Sequence, residues 1–241
     1  MIESTLSPIV NLAHPRQDIT GQRPFDPSRN RYRFARALLP APAAGATLVD
    51  VGGGAGEFCI LAREDGYQTT LIDGNSGSVE NERGRGFGAR QADLTRGLGE
   101  VADASFDVVV SLEVIEHIVT AELLLAEMAR VLKPGGAMVL STPNFGFIKD
   151  RLVYLRGGDA KEEGYHFRFY TRNKLAGMVR KAGLTIERTN SIGSAVGVNF
   201  ITRLATLGKF RFQQFSCPTS CESWLAQTFV WRLRKNGGRA A

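Results

Sequence analysis

The sequence predicts an α/β protein built on an open, mostly parallel sheet. Three observations predict it. Short runs rich in β-branched residues alternate with helical patterns through the middle of the chain; the small-residue run Gly52-Gly53-Gly54-Ala55-Gly56 breaks the passage from the first strand to the first helix; and Lys133-Pro134-Gly135-Gly136 stops a later helix just before another apolar strand.

The elements follow in order. Residues 1–27 hold Pro8, Pro15, Pro24 and Pro27 without sustained periodicity and read as a partly ordered arm. From Ser28, an N-cap candidate, Tyr32, Phe34, Ala35, Leu38 and Leu39 mark a helix ending at Pro40. Strands are expected at 47–51, 69–72, 89–92, 106–111 and 137–141, the fourth apolar enough to be central. Helices are expected at 57–65, 76–85 (weakened by glycine) and 120–132. Beyond them come a helix over 146–157, another from Thr171 to Gly183, a sixth strand at 184–190 and a closing strand at 228–233. Residues 146–168 and 194–224 are insertions, the second helical near 200–207, and 236–241 is a flexible tail.

A chain of 241 residues, 43% hydrophobic, suffices for one domain with a full core. The net charge of +6 resides in residues 201–241, where seven Lys/Arg face Glu222 alone. That end suits an acidic partner, a membrane surface or a nucleic acid, and equally a solvated surface. Three cysteines make no disulfide framework, and Cys217 and Cys221 lack a second ligand pair for zinc. The start has neither the basic nor the apolar region of a signal peptide, and no apolar run reaches the roughly 18 residues of a membrane span. A cytoplasmic protein without a transmembrane segment is expected.

The chemistry gathers at the carboxyl ends of the strands, where open α/β sheets bind ligands. The dinucleotide pattern G-x-G-x-x-G fails at the glycine run in both registers, because Glu57 and Cys59 stand where glycine is needed. Glu57 would also repel a pyrophosphate, yet it tolerates the zwitterionic methionine end of S-adenosylmethionine. Asp73, ending the second strand, is placed to accept both hydroxyls of a ribose, and Asp93, after the third, to accept from an adenine amine between Ala92 and Leu94. If a helical turn follows the fourth strand, Glu113, Glu116 and His117 share one face. His166 opens the aromatic run His-Phe-Arg-Phe-Tyr.

Taken together, Asp50-Val51-Gly52-Gly53-Gly54-Ala55-Gly56, Asp73, Asp93, Glu113-Val114-Ile115-Glu116-His117 and Leu132-Lys133-Pro134-Gly135-Gly136 resemble the class I S-adenosylmethionine-dependent methyltransferases over about residues 30–192. Residues 141–146 and 166–172 are similar to three branches: ubiquinone-pathway O-methyltransferases, small-RNA 2′-O-methyltransferases, and a bacterial group with the W-type methionine-biosynthesis protein and methyltransferases of glycan clusters. The resemblance implies a Rossmann-like seven-stranded sheet over 28–235, order 3-2-1-4-5-7-6 with strand 7 antiparallel, whose insertions form an acceptor lid. It implies that Asp50, Gly52, Gly54, Gly56, Asp73, Gly74, Asp93, Leu94 and Leu112 hold S-adenosylmethionine, released as S-adenosylhomocysteine.

It further implies catalytic roles for Glu113, Glu116, His117 and His166, which in the first two branches are associated with a divalent metal. Two carboxylates and two imidazoles suit Mg²⁺, Mn²⁺ or Zn²⁺; His166 as a base without metal and a structural role for the group stay open beside it. The expected activity is O-methylation of a small molecule or sugar, of natural-product, quinone or glycan type. N-methylation, RNA 2′-O-methylation and a non-catalytic cofactor-binding partner protein are the alternatives, and a homodimer is open. The 194–224 insertion departs from the ubiquinone branch, and no RNA-binding addition of the RNA branch is seen.

Overall fold

The computed structural model describes residues 30–158, 166–193 and 215–236. The expected N-terminal arm, the Ser28 cap, the tail beyond Asn236, the helix near 200–207 and most of the 194–224 insertion lie outside the described residues.

One sheet organises the molecule. Strands β1 (Thr47–Val51), β2 (Gln68–Asp73), β3 (Gly88–Gln91), β4 (Phe106–Leu112) and β5 (Leu132–Pro143) run parallel in the order β3-β2-β1-β4-β5. Antiparallel to β5 lies β9 (Ala226–Lys235), whose far edge carries both β6 (Leu184–Thr189) and β7 (Ile192–Gly193); β7 in turn carries β8 (Phe215–Ser216). Where seven strands are expected, the described residues form nine. The order 3-2-1-4-5-7-6 survives with β9 as the closing strand. The expected sixth strand, 184–190, forms as β6; β7 is a separate piece beyond its expected end, and between the two the Ser191 hydroxyl, not a backbone carbonyl, accepts from Val230 N at 3.1 Å. The edge pair Phe215–Ser216 is too short to have a periodic signature.

Among the described residues seven α-helices complete it: α1 (Asn30–Arg36), α2 (Glu57–Glu64), α3 (Ser76–Gly84), α4 (Ala121–Val131), α5 (Ile148–Leu155), α6 (Arg172–Lys181) and α7 (Glu222–Leu225). Asn75 caps α3 by accepting from Ser78 N at 3.0 Å, as an N-cap side chain should. Strand residues alternate between two cores. Leu48, Val108, Val110, Val139 and Val230 pack with α1 and α2; Val49, Val51, Val109, Met138, Leu140 and Trp231 pack with α4 and α6. Apolar residues on both faces are why the central strands read as unbroken apolar runs.

A polar node ties the far end of the sheet. Glu222 is fully buried and accepts from Trp231 Nε1 at 2.7 Å, Arg172 Nε at 3.0 Å and the Ser191 hydroxyl. Its charge is thus paired and three of its acceptor positions are filled, the condition under which a buried carboxylate is tolerated. Among the described residues no helix is long and apolar enough to cross a membrane.

Candidate active site

The site begins where β1 ends. Gly52, Gly54 and Gly56 take φ of 74°, 56° and 71°, the left-handed region that a Cβ penalises. The turn is packed tightly from behind: a Cβ on Gly53 would stand 2.2 Å from Asp50 Oδ2, and one on Gly56 1.3 Å from Glu82 Oε1. A Cβ on Gly54 would meet nothing within 4 Å, so this glycine borders open space.

Asp73, at the end of β2, closes against the turn. Its Oδ2 accepts from Gly54 N at 2.9 Å and its Oδ1 from Asn75 N at 2.8 Å. A carboxylate has about four acceptor positions, so roughly half remain for a ligand. The side chain of Asp50 lies beneath the turn, 1% exposed; burial first, then repulsion from Asp73 and Glu82, pushes its carboxyl up to about 7. It supports the glycines from below.

The other residues named from the resemblance stand around this crevice with local partners. Asp93 Oδ1 accepts from Thr95 N at 3.0 Å and Thr95 Oγ1 at 2.6 Å, a side-chain turn, while Leu94 is buried. Gly74 leaves its carbonyl to Gln91 Nε2 at 3.1 Å. Leu112 ends β4 and packs against the core shared by α1 and α2.

After β4 the expected helical turn does not form. The sheet ladder reaches one residue further than the sequence indicates, because Glu113 N bonds Ser141 O at 3.2 Å and Ser141 Oγ at 3.1 Å. Glu113 then reverses the chain at φ 58°, and only Ile115–His117 form a 3-10 turn. The i, i+3, i+4 face is lost with it.

Two hydroxyls at the end of β5 hold the two acids. Ser141 Oγ donates to Glu113 Oε1 at 2.7 Å, and Thr142 Oγ1 donates to Glu116 Oε2 at 3.0 Å. Successive strand residues face opposite sides of a sheet, so the acids are tethered from opposite sides. Glu116 is 1% exposed and its Oε1 is buried without a hydrogen-bond partner; burial first, and the nearby Glu113, push its carboxyl up to about 8.

The segment 166–170 docks onto this loop. Phe167 N and Arg168 N both donate to Glu116 O, at 2.9 and 3.1 Å, and Tyr170 OH donates to Ile115 O at 3.2 Å. That places His166 beside His117, ring centroids 4.7 Å apart in an edge-on arrangement. Donor atoms of Glu116, His117 and His166 lie within 4.8 Å of one another; Glu113 is not in that group. Among the described residues no other cluster of this kind occurs. Two imidazoles and a carboxylate with a buried, unpartnered oxygen form a donor set that fits a divalent ion.

Sequence reasoning misses Arg31, Ser141, Thr142, Tyr170 and Glu82. Arg31, on α1, donates to Tyr32 OH at 3.4 Å, and Tyr32 OH donates to Glu57 Oε2 at 2.7 Å. The charge of Arg31 is felt by Asp50, Glu57, Glu113 and Glu116, and its Nε is buried without a hydrogen-bond partner. Its helix advertises Tyr32 and Phe34 as the packed face, so nothing in the pattern marks Arg31 out. Ser141 and Thr142 carry a weak signal: two hydroxyls in succession end an apolar strand at the ligand edge.

A family model described as a methyltransferase domain matches residues 24–189. A probable S-adenosylmethionine-dependent methyltransferase of Mycolicibacterium smegmatis is 30% identical over 171 residues, 70% of this chain and 63% of that protein. A ubiquinone biosynthesis O-methyltransferase of Caulobacter vibrioides is 36% identical over 134 residues, 50% of this chain and 53% of that one. The chain thus spans between about half and two thirds of these relatives' length. Among solved structures, an S-adenosylmethionine-dependent methyltransferase from Mesorhizobium loti superposes with a TM-score of 0.57 at 20% identity, covering 83% of this chain and 95% of that one. Another from Archaeoglobus fulgidus gives 0.57 at 17%, covering 87% and 95%. These two share the fold.

Proposed function

The chain belongs to the methyltransferase domain family, and from that premise we propose that it transfers a methyl group from S-adenosylmethionine to a hydroxyl of a small molecule or sugar. The observation that carries the reading is the bond from Gly54 N to Asp73, which sets an acid with spare acceptor capacity beside a glycine that borders open space. The cradle fits the nucleoside: Gly52, Gly54 and Gly56 give it backbone to lie on, Asp73 accepts from the ribose hydroxyls, and Gly74, Leu112, Leu94 and Asp93 border the rest. Arg31, with its buried and unpartnered Nε, offers a donor to the methionine carboxylate.

S-adenosylmethionine supplies an electrophilic methyl on a sulfonium, which leaves positioning and nucleophile activation to the protein. Glu116, His117 and His166 would hold a divalent ion, whose charge lowers the pKa of an acceptor hydroxyl nearby. Glu113, tied to Ser141, faces the same edge and adds negative charge beside them. The Caulobacter relative is a ubiquinone biosynthesis O-methyltransferase, which favours oxygen over nitrogen.

The test is to incubate the protein with S-adenosylmethionine and pools of phenols, sugars and amines, with and without chelator, and to follow S-adenosylhomocysteine and the methylated product. Product on oxygen, lost with chelator and restored by Mn²⁺ or Zn²⁺, is expected. Product unchanged by chelator removes the metal and leaves His166 as the base. Product on nitrogen overturns the choice of oxygen, and binding of the nucleoside without turnover on any pool points to a partner protein.

A further inference from the structure

None of the eight residues of α5 is buried. Isolated helices this short are marginal in water, and in folded proteins their stability comes from an apolar face packed on something. The outward face of α5 carries that apolar surface uncovered: Leu155 is 82% exposed and Leu152 39%. Lys149 and Arg156 are exposed on the same side of the helix. Next to it Trp224 is 49% exposed, with the Arg151 guanidinium 4.1 Å from its ring centroid.

We propose that this face, Lys149, Leu152, Leu155 and Arg156 with Trp224 at its rim, docks on an anionic lipid surface. Aliphatic side chains interleaved with cations, and a tryptophan at the edge, are the composition of helices that lie in the headgroup layer. Charge argues for anionic lipid: residues 145–158 carry Lys149, Arg151 and Arg156 against Asp150 alone. A nucleic acid would use such cations, but single-strand binders present successive aromatic rings for bases to stack on, and this face carries one ring, Trp224 at its rim, with Leu155 its most exposed apolar side chain. The inference does not depend on the methyl-transfer reading.

The test is flotation of the full chain with vesicles of phosphatidylcholine alone and of phosphatidylcholine with phosphatidylglycerol, at low and at higher salt. Retention by the phosphatidylglycerol vesicles, weakened by salt and reduced at least about tenfold in Leu152→Glu/Leu155→Glu, is the expected result. Both leucines are exposed, so the double variant should keep the parent's melting temperature, which serves as the folding control. Retention equal in parent and variant, or absent from both, overturns the proposal. So does a concentration-dependent dimer that the double variant abolishes, or binding of an RNA oligonucleotide that the vesicles do not displace.

Discussion

The amide of Gly54 donates to Oδ2 of Asp73 at 2.9 Å, so the turn after β1 and the end of β2 are fastened at a single point. Asn75 N fixes the other oxygen, at 2.8 Å. The carboxylate is oriented before any ligand arrives, and preorganised acceptors lose less on binding. Asp73→Ala is expected to weaken S-adenosylhomocysteine binding by roughly 10- to 100-fold, the weight of about 1.5–3 kcal/mol for hydrogen bonds to a charged group. Isothermal calorimetry measures it; an unchanged Kd would separate Asp73 from the ligand.

The glycines of the turn separate strain from space. Gly56 combines φ 71° with a Cβ position 1.3 Å from the buried Glu82, so Gly56→Ala meets both backbone strain and a clash with a side chain that has nowhere to go. Gly54→Ala meets strain alone, on the order of 1–2 kcal/mol, and its methyl enters the open space beside Asp73. The expected pattern is a large fall in melting temperature for Gly56→Ala, and for Gly54→Ala a small fall with lost nucleoside binding. Thermal unfolding and calorimetry on both variants check it, and similar melting temperatures for the pair would contradict it.

The sheet was legible because its central strands are apolar on both faces and all but β4 are bounded by glycine or proline, and the Gly54 to Asp73 contact follows from strand adjacency at one edge. The acceptor side was less so. Whether Glu113 continues a ladder or starts a helix depends on Ser141, a neighbour in space 28 residues away, and no local periodicity encodes that bond. The two-residue strand β7 escapes for a similar reason: just before it the side chain of Ser191, not a backbone acceptor, meets Val230 N. Arg31 was invisible because its partners, Glu57 and Glu113, are assembled only by the fold.

Asp50 makes the turn sensitive to pH. Burial, with Asp73 and Glu82 adding repulsion, raises its carboxyl from 3.8 to about 7. A raised carboxyl binds its proton more tightly when folded, so its stabilising contribution is complete below about 4, declines as pH rises and is gone above about 7. The full span is on the order of 4 kcal/mol at about 1.4 kcal/mol per pKa unit. Asp50→Asn has no proton to lose, so its stability relative to the parent should rise between pH 4 and 7 and then level off. Urea midpoints across that range give the difference, in which the titration of groups not coupled to Asp50 cancels; a flat difference would mean that Asp50 titrates normally.

Arg31 bears on which end of the ligand each part of the crevice holds. Its Nε is buried and unpartnered, while Tyr32 and Glu57 fix the rest of α1 against the start of α2. An arginine donor aimed at a carboxylate matters only for ligands that carry one. S-adenosylhomocysteine has the amino-acid end; 5′-methylthioadenosine keeps the nucleoside and lacks it. Arg31→Met should therefore weaken S-adenosylhomocysteine by roughly tenfold or more and leave 5′-methylthioadenosine unchanged, whereas Asp73→Ala should weaken both. Paired calorimetric titrations of the two ligands against the two variants decide it: equal losses for both ligands in Arg31→Met would make Arg31 a prop for the fold, and no loss for either would remove it from the crevice altogether.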